Sequence, residues 1–338
     1  MITTRYYYEK LNPQDREIYR AIYDGIMRFK RYVEVPGTVL NEKKVGWIYH
    51  CVLWDNPFIF SVGEYAMWHA LSGDKRKIRM TTLCDVASEK VYREEIESAV
   101  NTILAVPGLW KMTDFQKEVF VHDFIINNVN YDHSLGNGGK RIQPYTVYGA
   151  LVEHCAVCEG IAKAVKLLLN LMDVKCIVAS GTYDGHGHAW NIVKLDNFSY
   201  HLDVTMDMGR VVHPGKMRYN YFNFRDCDMP NYRVDNAHMM PSCTAIRNNY
   251  IVRAGGFVSN YDRLRIYTEK GLTKRKACLY FKPNRNVDDQ SKSISIEEFG
   301  KEVNRAFIES ANKLQISTQR FIDSTGPGEI ISVEVLYK

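Results

Sequence analysis

Hydrophobic residues repeat at helical spacing in several long stretches of the chain. In the first of them, Ile18, Tyr19, Ile22 and Ile26 recur on one face behind Asn12-Pro13, a pair typical of a helix start. The same spacing predicts further helices. These are residues 88–104, 113–128, a segment that begins at Cys158, and 294–314, the last with Ser293 and Glu297 at cap-like positions.

Short runs of β-branched and aromatic residues predict strands between these helices. The predicted strands are residues 47–54, 59–62, 78–84, 174–180, 188–195, 198–204, 277–281 and 330–337. Asp196-Asn197 separates two of them, which predicts a tight hairpin. Residues 134–139 and 181–187 are rich in turn-forming residues and predict loops. The mixture predicts an α+β fold.

Breaks in this pattern suggest three regions, within the range of roughly two or three domains that the length predicts. Pro107-Gly108 is the first break. We therefore expect an N-terminal accessory α+β region over residues 1–110, a core over 111–240 and a small C-terminal α+β unit over 241–338. Residues 208–241 show few regular periods and are interpreted as a segment that wraps the core or lines a cleft.

Composition narrows the class of protein without naming a function. The formal net charge is +5 and the basic residues form no long block, so a nucleic-acid surface is not expected. The chain has no apolar run of about eighteen residues, hence no expected membrane span, and no signal-peptide pattern at its start. The eight cysteines are then expected to be reduced thiols in a cytoplasmic protein.

Candidate chemistry is concentrated between Cys158 and Asp203. A thiol at a helix N-terminus faces unpaired N–H groups and the positive end of the helix dipole, which both favour the thiolate. Counting back from the hairpin turn places Asp203 opposite Trp190 and diagonal to His188, with both side chains on one sheet face. An imidazole there could take the thiol proton while the carboxylate fixes its tautomer.

These residues also carry a resemblance to a known family. Residues 158–160 (CEG), 188–191 (HAWN) and 203–205 (DVT) resemble the three core motifs of the transglutaminase-like superfamily, in order and at plausible spacing. Residues 121–132 and 147–160 are similar to bacterial members, and the resemblance covers about residues 112–207.

The resemblance implies a papain-like core with flanking units and an enzyme of the transglutaminase-like cysteine hydrolase or acyltransferase type. Cys158 would be the nucleophile, His188 the general base and Asp203 the orienting acid, acting on an amide of a protein or peptide through a thioester. Hydrolysis, as by a peptidase, amidase or deamidase, is the favoured outcome because bacterial relatives look more like hydrolases. No metal or organic cofactor is required, and calcium is not implied because the extra domains of calcium-dependent animal members are not seen.

Three alternatives stay open at this stage. One is cross-linking by a transglutaminase, with a lysine amine in place of water. Another is a binding or scaffold module that keeps the fold without turnover. The third is a zinc-stabilised domain, since Cys155, Cys158, His186 and His188 offer four suitable ligands.

Overall fold

The helices and strands below come from a computed structural model, which describes residues 5–36, 42–70, 75–82, 84–134, 143–208, 219–283, 295–324 and 330–337. The α-helices are α1 (Tyr6–Lys10), α2 (Pro13–Met27), α3 (Glu42–Asp55), α4 (Val86–Leu104), α5 (Asp114–Asn128), α6 (Val147–Leu151), α7 (Cys158–Leu171), α8 (Val204–Met208), α9 (Tyr250–Arg253), α10 (Tyr261–Thr273) and α11 (Ile296–Lys313). The strands are β1 (Tyr32–Pro36), β2 (Val62–Ala70), β3 (Lys75–Thr82), β4 (Asn130–Tyr131), β5 (Cys155–Ala156), β6 (Cys176–Tyr183), β7 (His186–Leu195), β8 (Phe198–Leu202), β9 (Phe222–Phe224), β10 (Tyr232–Val234), β11 (Phe257–Val258), β12 (Cys278–Pro283), β13 (Thr318–Ser324) and β14 (Ile331–Tyr337).

The chain forms two compact units that interleave along the sequence. The first comprises residues 1–217 and 231–241, and the second comprises 218–230 and 242–338. This mixture of helices and strands confirms the predicted α+β class. Within the described ranges, no helix is both long and apolar enough to cross a membrane.

Helix α7 is the centre of the first unit. Its residues from Glu159 to Leu169 are all buried. One side of α7 packs on β6 and β7, the central strands of the antiparallel order β10-β6-β7-β8, and α5 and α6 also contact it. Apolar residues of α1, α2, α3 and β3 join Ala162 of α7, Val178 of β6 and Ala189 of β7 in one hydrophobic core. The N-terminal helices therefore cover the helix that begins at Cys158.

Helix α7 is buried on its polar side as well as on the apolar side from which it is predicted. Lys163 and Lys166 lie on the face that the sequence marks as polar, yet both are buried. Lys166 donates to the Trp54 carbonyl and lies 3.8 Å from the Asp55 carboxylate. Lys163 lies 2.7 Å from Glu159, which accepts a hydrogen bond from the Trp54 indole at 3.1 Å. Because α3 supplies these partners, the lysines are buried with their charges compensated.

Residues 47–54 were expected to form a strand, and that prediction is wrong, since they lie inside α3. Bulky apolar residues fill this stretch so continuously that neither the helical nor the strand period stands out. The structure shows why: α3 is covered on most sides, and seven of its residues belong to the buried core. They are Val45, Ile48, Tyr49, Cys51, Val52, Leu53 and Trp54.

Other boundaries are closer to expectation. Asn12 caps α2, and the helices predicted from 88 and 113 begin at Val86 and Asp114. The strand expected at 59–62 begins only at Val62, and α11 is capped by Ser295 with Glu298 rather than by Ser293 with Glu297. Beyond Ser134, the loop predicted at 134–139 lies outside the described residues.

The second unit contains a small sheet of its own. Its strand order is β11-β12-β14-β13, and α10 and α11 pack together on one face. The core between helices and sheet is formed by Leu264, Leu272, Phe281, Phe299, Val303, Phe307, Ile331, Val333 and neighbouring apolar residues.

Candidate active site

Cys158 is the first residue of α7 and is only partly buried. The preceding Val157 is extended and makes no side-chain cap, so the first turn of α7 is left without a capping side chain. Gly160 explains how this helix end is packed, because a Cβ atom there would lie 2.2 Å from the Pro144 carbonyl oxygen. The glycine of the CEG motif thus permits the close approach of the segment before α6.

The hairpin β7–β8 brings His188 and Asp203 together. Its turn is Asp196-Asn197, where both residues have positive φ, and Leu195 pairs with Phe198 as the two-residue loop predicts. Asn191 pairs with Leu202, so the register carries Asp203 to the position opposite Trp190, one residue beyond the end of β8. The resulting distance from His188 Nε2 to Asp203 Oδ2 is 2.6 Å.

Residues 181–187 do not form the predicted loop. Gly181 to Tyr183 belong to β6, and His186 already belongs to β7, so the connection is the two residues Asp184-Gly185 with positive φ. Asp-Gly is itself a signal for a tight hairpin turn, and that local signal was available in the sequence. The longer strands place Gly181 directly beside His188.

Burial and Asp203 act in opposite directions on the pKa of His188. Burial lowers the pKa of the imidazole, but the charge of Asp203, its hydrogen bond and the hydrogen bond with Cys158 outweigh burial and raise the pKa to about 10. Since Nε2 is hydrogen-bonded to Asp203, Nδ1 is the ring nitrogen available to interact with Cys158. The ring is therefore protonated at neutral pH, between a sulfur and a carboxylate.

Asp203 is held at both of its oxygens. Oδ1 accepts the Met206 backbone N–H at 3.0 Å, so the carboxylate caps α8, while Oδ2 accepts from His188. Oδ2 also accepts the hydroxyl of Tyr232 at 2.8 Å. The sequence reasoning missed Tyr232, because it lies in the irregular stretch after the recognised motifs and no spacing rule connects it to Asp203.

The other residues of the HAWN motif support the strand. The Trp190 ring stacks on His188, with centroids 5.9 Å apart and 18° between the planes, and its indole N–H donates to His201 at 3.0 Å. The Asn191 amide donates to the carbonyls of Ala162 and Ile177, which ties α7 to β6. Tyr131 lies on the side of the sulfur, where burial and the nearby Cys158 raise its pKa to about 12.

The zinc alternative does not assemble. Among the described residues, no three of Cys155, Cys158, His186 and His188 bring their ligand atoms within 4.8 Å of one another. His186 is exposed at the start of β7, and His188 Nε2 is hydrogen-bonded to Asp203 and so is not available as a zinc ligand.

A second histidine–carboxylate contact anchors α8. His122 of α5 is fully buried, 3.1 Å from Asp207 and 2.9 Å from Asp123. Burial lowers the pKa of His122, but the hydrogen bonds of Asp123 and Asp207 outweigh it and raise the pKa to about 8.

This raised pKa predicts a pH-dependent stability. The protonated His122 contributes stability that is complete below pH 6.5 and is lost as the pH rises through about 8. We expect the urea midpoint of wild type to fall across this window and that of His122→Gln to fall less. Unfolding curves at several pH values would test this, with exposed His238→Gln as control. Parallel pH dependence in wild type and His122→Gln would contradict the assignment.

Comparison with known proteins identifies the region that carries this geometry. Residues 106–204 match the model of the transglutaminase-like superfamily. No curated relative matches the chain. Among solved structures, "Crystal structure of a TGase" is 12% identical, with a TM-score of 0.30, and the match covers 55% of this chain and 53% of that one. "The Crystal Structure of a Putative Cysteine Protease from Cytophaga hutchinsonii" is also 12% identical, with a TM-score of 0.26, and covers 42% of this chain and 61% of that one.

The chain thus spans between 53% and 61% of these two structures. The segment matched by the family model includes Cys158, His188 and Asp203. The similarity to the transglutaminase-like superfamily is therefore carried by residues 106–204.

Proposed function

We propose that the protein is a cysteine-dependent enzyme that cleaves amide bonds of peptides or proteins through a thioester on Cys158. The observation that carries this proposal is the 2.6 Å contact of His188 with Asp203, on a ring whose pKa is also raised by the nearby Cys158. This is the arrangement of a nucleophile, a base and a group that orients the base. The CEG and HAWN motifs and the first two residues of the DVT motif lie in the matched family region.

In the first half of the proposed reaction, the Cys158 sulfur attacks the amide carbonyl carbon. The protonated His188 ring beside the sulfur stabilises its negative charge, as does the N-terminus of α7. A carbon–sulfur bond forms and the carbonyl electrons move onto oxygen. As those electrons return, the carbon–nitrogen bond breaks, and Nδ1 of His188 gives its proton to the leaving amine.

In the second half, water attacks the thioester. The neutral His188 ring takes one proton from water while the oxygen bonds to the carbonyl carbon. Collapse of this intermediate breaks the carbon–sulfur bond, releases the carboxylic acid and restores the pair of Cys158 and protonated His188. Asp203 keeps the ring in one tautomer and orientation through both halves.

A trapped intermediate tests the proposal. The protein is incubated with libraries of peptides and primary amides, quenched in acid, and digested for mass spectrometry of the peptide that contains Cys158. An acyl adduct on Cys158 followed by release of the free acid supports hydrolysis. An amide formed with added lysine analogues would instead make transfer the reaction. Wild-type protein that forms neither adduct nor product with any library member would contradict the proposal.

Asp203→Asn is expected to lower kcat/KM by about a thousandfold to ten-thousandfold while leaving measurable activity. The neutral amide no longer stabilises the protonated ring, and it can hold the ring in the wrong tautomer. Steady-state kinetics on the identified substrate measures the effect. Asp207→Asn is the matched control on α8, four residues further on, and is expected to affect stability more than kcat. Equal losses of kcat in both variants would argue against the role of Asp203.

A further inference from the structure

Tyr232 makes a contact with the proposed catalytic pair that no recognised motif accounts for. Its hydroxyl donates to Asp203 Oδ2 at 2.8 Å, the same oxygen that lies 2.6 Å from His188 Nε2. Tyr232 is buried, with 5% of its surface exposed, and Asp203 is fully buried. A carboxylate oxygen shared by two donors in a dry site is fixed in rotation and has less negative charge available to each donor.

The fold delivers Tyr232 to this place through β10. This strand pairs antiparallel with β6, where Tyr232 faces Tyr183. Gly181 allows the two strands to meet, because a Cβ atom there would lie 1.8 Å from the Arg233 carbonyl oxygen. Gly181 is also the residue that pairs with His188, so the same close approach aligns β10 with the base.

The ring of Tyr232 completes an aromatic enclosure of the pair. Its centroid lies 6.2 Å from that of His188, 5.1 Å from that of Trp190 and 4.9 Å from that of Tyr183. The rings shield the hydrogen bond between His188 and Asp203 from water. In such surroundings a hydrogen bond is electrostatically stronger than it is in water.

We infer that Tyr232 is a positioning residue that sets the basicity of the His188–Asp203 pair by sharing Oδ2. The inference rests on the proposed function, because it assigns Tyr232 to the same reaction. By donating to Oδ2, Tyr232 reduces the negative charge that Asp203 presents to Nε2, so that the ring more readily releases the proton on Nδ1 to the leaving amine. It also keeps the carboxylate in the plane that Nε2 requires.

Within the described ranges, ionisable groups that face the pair lie on four elements. They are the Cys158 thiol on α7, the Tyr131 hydroxyl from β4, Tyr183 on β6 and Tyr232 on β10. Removing the Tyr232 hydroxyl changes only one of these four ionisable groups and keeps the aromatic ring of residue 232.

The test is Tyr232→Phe, read out by the pH dependence of Cys158 alkylation with iodoacetamide and located by mass spectrometry. Loss of the donor leaves more negative charge facing the ring, so the upper inflection of the profile should rise by roughly half a pH unit or more. On the substrate, kcat should fall about tenfold with little change in KM. Tyr49→Phe is the control, since it removes an equally buried hydroxyl, which donates to the Gly63 carbonyl at 2.6 Å.

A double-mutant cycle separates positioning from packing. If Tyr232 acts through Asp203, adding Tyr232→Phe to Asp203→Asn should change kcat little further. An unshifted inflection in folded Tyr232→Phe, or fully additive losses, would overturn the inference. If Tyr232→Phe does not fold, a fluorinated tyrosine at position 232 keeps the ring and strengthens the donor. The upper inflection should then fall, and a rise or no change would overturn the inference.

Alkylation of Cys158 does not require turnover of a substrate. The role of Tyr232 and the proposed amide-cleaving function can therefore be refuted separately. A shifted profile in a protein that never forms an acyl adduct would leave the contact assigned and the amide-cleaving function refuted. Normal turnover with an unshifted profile would refute the role of Tyr232 alone.

Discussion

Cys158→Ala is expected to lower kcat by about a millionfold, to the background rate, because it removes the atom that forms the thioester. The fold should be retained, since the side chain is only partly buried at the first residue of α7. Rates on the identified substrate and urea unfolding curves of the same preparations would measure the two effects.

Cys155→Ala is the matched control for this prediction. It makes the same substitution three residues earlier, on β5, at a cysteine that is also partly buried. Activity close to wild type is expected. If Cys155→Ala abolished activity as completely as Cys158→Ala, or if Cys158→Ala turned substrate over at the wild-type rate, the nucleophile would have been assigned wrongly.

Asp55→Ala is expected to reduce the free energy of unfolding by about 3–5 kcal/mol. Asp55 and Lys166 are both fully buried, with 3.8 Å between Oδ1 and Nζ. Asp55 also accepts the backbone N–H groups of Tyr7 and Tyr8 and the Tyr19 hydroxyl, at 3.1, 2.9 and 3.2 Å. Alanine would leave an uncompensated ammonium group and several unpaired donors inside the core.

Burial and the attraction between Asp55 and Lys166 have opposite effects on the pKa values of the two groups, so each charge depends on its partner. Burial raises the pKa of Asp55 and lowers the pKa of Lys166, while the attraction between the groups acts in the opposite direction in each. Replacing both by apolar residues, Asp55→Leu with Lys166→Met, should therefore cost less than Asp55→Ala alone. Glu94→Ala, from the exposed pair of Glu94 and Lys90 on α4, should cause no measurable loss. Equal midpoints for Asp55→Ala and Glu94→Ala would contradict the prediction.

The arrangement around His188 was predictable because local rules fix it. A two-residue turn sets the register of β7 and β8, and strand parity then sets which side chains share a face. From these rules the sequence places Asp203 opposite Trp190 and next to His188. The helix start at Cys158 follows from the spacing of apolar residues after it.

The parts that were mispredicted depend on contacts made far along the chain. Residues 47–54 have bulky side chains that favour strands locally, but packing against α1, α2 and α7 makes them a helix. Lys166 looks solvated in the sequence because its partner, Asp55, lies more than a hundred residues away. Tyr232 reaches Asp203 only because Gly181 lets β10 approach β6, and no periodicity encodes that approach.

The path of residues 231–241 has a consequence for dissecting the protein into pieces. The chain contributes 218–230 to the second unit, returns to the first with Tyr232, and leaves it again at 242. No single cut in the chain therefore separates the two units. A stop codon after position 241 would leave residues 218–230, thirteen residues of the second unit, attached to the first unit. Genetic exchange of the second unit would need three junctions, at 217/218, 230/231 and 241/242. Tyr232 stays with the unit that uses it only if the last two are placed correctly.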